Sequence, residues 1–192
     1  MDNFDRQRQD RKVDPSSSSD FNFSCIDRAD RCAGADWRHR HPSTDLTEHT
    51  YSSDILAQLN SGQLLLVDSR RRNGLILIKS FHAEFAGPGA AVGGAFDADS
   101  VQAIPVGDFR LVCPQSPEER QKAYGIRRHW VRLMEQLTAK PVALERSQML
   151  LTQFEQYFDP ETVAQIPDRA LALLVGVFPQ TIRSARQGND EG

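Results

Sequence analysis

The chain has 192 residues, a formal net charge of -3, 39% hydrophobic and 26% charged residues. One domain with appendages fits that length, and the acidic balance excludes a generally basic nucleic-acid coat protein while leaving room for a local DNA-reading element. No apolar run approaches the roughly 20 residues that span a bilayer, and the charged first residues are no secretory signal. Three cysteines make no disulfide framework, so the expected compartment is a reducing cytoplasm.

Residues 1–53 are expected to form a disordered tail, because they are rich in charge and contain Pro15, Ser16, Ser17, Ser18, Ser19 and Asp20 in succession. Within them the run Phe21, Phe23, Ile26 is apolar enough to dock on a partner or on the domain. Cys25, Cys32, His39 and His41 invite a zinc reading. The seven-residue cysteine spacing does not suit a zinc knuckle, and no metal or cofactor is expected.

Folded sequence is expected from residue 54. A short helical turn closes at Asn60, Ser61 and Gly62. The stretch 54–113 then reads as a small antiparallel β module, with strands at 63–70, 75–81 and 109–113. Asn73-Gly74 is read as the turn of a hairpin between the first two, since both residues tolerate positive φ. Residues 87–99 read as a glycine-rich loop. It lacks the Gly-Lys-Ser/Thr of a P-loop, which argues against nucleotide binding.

After Cys113 the hydrophobic period changes from two to between three and four. Ser116, Pro117 and Glu119 mark a helix start, with Ser as N-cap and Pro in the first turn. Ile126, Trp130, Leu133 and Leu137 form the inward stripe of a helix over 117–138, which is also the expected seam of a homodimer. A second helix carries Leu144, Leu151, Phe154 and Phe158 on one side. Asp159-Pro160 opens a third with Val163 and Ile166 inward, and Pro167-Asp168 opens a fourth. The fold class expected is therefore α+β, with a helical domain at 116–187 and a short tail at 188–192.

The segment 168–187 carries the functional reading. Ala172 and Gly176 lie four residues apart, with Leu171, Val175, Val177, Ile182 and Ala185 at apolar positions around them. This spacing resembles the helix-turn-helix of bacterial repressors and activators such as the lactose-repressor family. Ala172 stands where that pattern needs a small residue at the helix crossing, and Gly176 where the turn needs positive φ. Phe178 departs from it, standing where Ser or Thr commonly caps the second helix.

The resemblance implies sequence-specific binding of double-stranded DNA and a role in transcription regulation. Gln180, Arg183, Ser184 and Gln187 would face base edges, because Gln and Arg carry the donor and acceptor forks that match adenine and guanine. Thr181, Arg186 and Arg169 would contact phosphates. The alternative is a non-enzymatic protein–protein adaptor using the helical domain. Arg120, Lys122, Arg127, Arg128 and Arg132 on the 117–138 helix read as snorkelling cations beside a buried Trp130. Arg70, Arg71 and Arg72 read as a solvated turn. Neither His82 with Glu84 nor Cys113 with His129 makes a nucleophile–base–orienter set, so no enzyme is expected.

Overall fold

A computed structural model describes residues 46–189, with side chains from 53 to 188. The serine run, the Phe21 to Ile26 segment, the four zinc candidates and most of the expected tail lie outside the described residues. Folded structure begins earlier than the sequence implies, with helix α1 at Leu46–Leu59. Six strands follow: β1 (Leu64–Val67), β2 (Asn73–Ile78), β3 (Ala83–Ala86), β4 (Ala91–Gly93), β5 (Gln102–Gly107) and β6 (Leu111–Val112). Helices α2 (Pro117–Thr138), α3 (Ala143–Tyr157), α4 (Pro160–Gln165), α5 (Asp168–Val175) and α6 (Pro179–Asn189) complete the described chain. The class is α+β.

The strands form two three-stranded antiparallel sheets, in the orders β4-β1-β6 and β3-β2-β5. This corrects the expected hairpin. β1 does not pair with β2; it pairs with β4 through Leu65 and Val92 and with β6 through Leu66 and Val112. Asn73 and Gly74 are not a turn but the first residues of β2, opposite Gly107 and Val106 of β5. The reason is packing. A Cβ on Gly74 would come within 2.5 Å of the Phe85 ring, and buried Asn73 donates to the carbonyl of Asp108. The expected glycine-rich loop likewise supplies β4. Cys113, just past β6, is disulfide-bonded rather than a free thiol, against the expectation from the cysteine count.

Every residue of β2 is buried, as a central strand covered on both faces requires. Period-two alternation gives β1 two roles. Leu65 and Val67 join the main core, while Leu66 meets Ala91 and Ala123 of α2 in a small second cluster. The main core runs from the sheets into the helices. Phe85 lies 5.1 Å from Trp130 edge to face, 4.9 Å from Phe154 and 6.1 Å from Phe158, ring centre to ring centre. The stretches 54–113 and 116–187 therefore share one core.

The helix starts follow their sequence signals. Ser116 accepts from the Glu119 amide at 3.1 Å, and Asp159 accepts from the Thr162 amide at 2.8 Å. On α2, Trp130 and Leu137 are buried, with Ile126 and Leu133 packed against the same core. That stripe packs within the chain, with Ile126 and Leu133 half-buried. On α3, Leu144 is exposed, and Ser147, Leu150, Leu151 and Phe154 take the inward side.

Candidate nucleic-acid interface

α5, the turn after it and α6 assemble the residues singled out at 168–187. α5 ends at Gly176, whose backbone is left-handed at φ 62 and ψ 50. The carbonyl of Ala172 accepts from Gly176 and also from Val177 at 3.1 Å, which closes the last turn. A Cβ on Gly176 would meet nothing within 4 Å. The glycine is needed there for its dihedral angle and not for space.

Leu171, Ala172, Val175, Ile182 and Ala185 are buried, and Val177 packs against the core. Both helices pack on α3. Arg146 of α3 reaches the turn, donating to the carbonyls of Gly176 and Thr138 at 3.4 Å each. Val177 and Ile182, flanking the first turn of α6, stand at the spacing of a hydrophobic staple.

The outer face of α6 follows from the same periodicity. Gln180, Arg183, Ser184 and Gln187 are exposed, at offsets of three, one and three that keep them on one side of a helix. The Ser184 hydroxyl donates back to the Gln180 carbonyl at 3.1 Å. Arg169 is exposed in the first turn of α5, and Thr181 is half-buried.

Arg186 is placed differently from the expectation of a phosphate contact. Its side chain is 24% exposed and its guanidinium is spent inside the fold. Nε donates to Asp168 at 3.0 Å, while the Nη atoms donate to the carbonyls of Val163 at 3.2 Å and Ile166 at 2.9 Å. It thus ties α6 to the end of α4 and the start of α5.

Two residues of the region, Asp168 and Arg146, make contacts the sequence reading did not supply, and a third, Phe178, stood there only as a departure at the helix cap. Asp168 lies 3.6 Å from Arg183 as well as 3.0 Å from Arg186, so one carboxylate sets the local field of α6. Its only sequence signal is an acid at a helix N-terminus, which the helix dipole already favours. Arg146 carries no motif. Phe178 is 78% exposed at the head of α6.

A second polar constellation joins β2, β3 and α2. The Lys79 ammonium meets Glu84 at 3.1 Å and Asp99 at 3.0 Å, and Arg127 meets Glu84 at 2.6 Å and Asp97 at 3.1 Å. Burial alone would raise the Glu84 carboxyl, but Arg127 and Lys79 outweigh it and hold it at about 2. Burial dominates at Asp97, whose pKa is raised against the pull of Arg127. Among the described residues no cluster of His, Cys, Asp or Glu is set to hold a metal, and no helix is long and apolar enough to cross a membrane. No family model, curated protein or solved structure matches this chain.

Proposed function

We propose that α5 and α6 read double-stranded DNA sequence-specifically and that the chain regulates transcription. One observation carries this reading. Gly176 is left-handed, Ala172 is buried and Leu171, Val175, Val177, Ile182 and Ala185 are packed, which is compatible with the resemblance to a helix-turn-helix and supports this reading. The face of α6 left over presents Gln180, Arg183, Ser184 and Gln187, whose forks and hydroxyl suit base edges in a major groove. Arg169 and Thr181 serve phosphates, and Arg186 serves the fold.

The test is fluorescence anisotropy on random-sequence duplexes at low salt, followed by selection of a preferred site. On that site Arg183→Ala should lose about 1–3 kcal/mol of specific binding. Arg169→Ala should weaken all sequences alike and lower the salt slope by about one. If wild type binds no duplex even at low salt, the DNA reading is wrong.

A protein–protein adaptor is the second reading. It draws on exposed Phe178 and on the hold of Asp168 over Arg183, since an exposed aromatic suits a protein partner and a nearby carboxylate repels phosphate. The same titration separates the two, because the adaptor predicts no duplex binding.

A further inference from the structure

We propose that Asp168 positions Arg183 to read a guanine at one place in the DNA site. The inference rests on the DNA reading and adds to it a base and a positioning residue. Arg183 alone is a poor reader. Its side chain is 66% exposed, and an exposed arginine gives up much rotamer freedom when it settles on one base. Its Nε lies 3.6 Å from Oδ2 of Asp168, which ties the guanidinium to a carboxylate before any DNA is met.

That carboxylate is itself held. Its other oxygen, Oδ1, accepts from Nε of Arg186 at 3.0 Å. Arg186 is fixed in turn by the carbonyls of Val163 at 3.2 Å and Ile166 at 2.9 Å. The backbone at the end of α4 thus fixes Arg186, Arg186 fixes Asp168, and Asp168 offers Arg183 an acceptor held in place.

Guanine follows for two reasons. With Nε turned towards Asp168, the two Nη groups are left as a donor fork. Guanine is the base that sets two acceptors, N7 and O6, side by side in the major groove. The charge of Asp168 also disfavours a phosphate beside Arg183 but not a neutral base edge. It therefore steers this arginine from the backbone to the bases.

Fluorescence anisotropy of the full chain, on its selected duplex and on single-base replacements of it, tests this well below the melting temperature. The proteins are wild type, Asp168→Asn, Arg183→Ala and the double variant. The readout is the ratio of affinities for guanine and for its replacement at each position, from which the folded fraction of each preparation cancels. Wild type should prefer guanine at one position where Arg183→Ala abolishes the preference. Asp168→Asn should lower the ratio there by about threefold to fivefold, the scale of an exposed ion pair, and leave the other positions alone. In the Arg183→Ala background it should not alter the ratio at all. If wild type selects a site in which no guanine depends on Arg183, the inference is overturned while the DNA reading stands. The same holds if Asp168→Asn keeps the wild-type ratio or weakens every duplex alike, since the carboxylate then serves the fold only. If wild type binds no duplex, the DNA reading fails and this inference with it.

Discussion

At the scale of single residues, two glycines show why one amino acid serves two physical ends. Gly176 has open space around it and a left-handed backbone; Gly87 would put a Cβ within 2.2 Å of the Trp130 ring. Asn adopts the left-handed region more readily than other side chains, whereas β-branched residues resist it. Gly176→Asn should therefore stay close to wild-type stability, and Gly176→Val should lose about 1–2 kcal/mol or more. Gly87→Ala fails for lack of room, so about 1–3 kcal/mol is expected there. Urea midpoints on the three variants check the contrast; equal losses at Gly176 for Asn and Val would refute the dihedral argument. Gly176 was legible in the sequence because a four-residue spacing from Ala172 tied it to a turn. Gly74 and Gly87 were not. Their role is set by Phe85 and Trp130, which come close only through the tertiary fold.

At the scale of elements, helices were read well and sheets poorly, and the cause is range. Ser116 and Asp159 cap within three residues of themselves, so α2 and α4 announce their starts locally. β2 pairs with β5 through Asn73 and Gly107, 34 residues apart, a partner no local pattern names. The same limit hid the Arg186 clamp, whose acceptors Val163 and Asp168 precede it by 23 and 18 residues. Arg186→Lys should destabilise almost as much as Arg186→Ala, by about 2 kcal/mol, because a single ammonium cannot span three acceptors. DNA affinity measured well below the melting temperature should change less than it does for Arg183→Ala. If Arg186→Ala instead keeps full stability and weakens all duplexes equally, the residue contacts phosphate after all.

The Glu84 network links β2, β3 and α2, and it gives those elements a dependence on pH. Glu84 titrates at about 2 in the fold against an ordinary 4.5, so its contribution is complete above 4.5 and is lost as pH falls through about 2. Asp97 acts with the opposite sign: its raised pKa means that protonation relieves the buried charge as pH falls. Glu84→Gln should lower stability at neutral pH, where Lys79 and Arg127 lose a shared counter-ion. It should also flatten the decline between pH 4.5 and 2. Denaturation midpoints across that window decide the matter, and a parallel decline in variant and wild type assigns the acid sensitivity to other groups.

At the scale of the whole molecule, composition and period divide the chain at Cys113, yet the core does not divide there. Phe85 comes from β3, Trp130 from α2, and Phe154 and Phe158 from the end of α3, and all four rings meet. The sequence marks a change of period because strands and helices expose apolar residues at different spacings. It cannot mark which stripe faces which, and that pairing is what joins the halves. A helical half cut free at residue 115 would leave Trp130 and Phe154 without Phe85. The folded chain should therefore melt once, with the helical signal and the Trp130 fluorescence changing together. Trp37 lies outside the described residues, so a Trp37→Phe background isolates the Trp130 signal. In that background Phe85→Ala should lower stability by about 3–5 kcal/mol and shift both signals equally, even though the substitution sits in a strand. Two separated transitions, or a helical signal indifferent to Phe85→Ala, would mean that the α5–α6 unit is carried by an independent domain. The interface proposed for DNA would then be separable from the sheets, and a fragment beginning near 116 would suffice to bind.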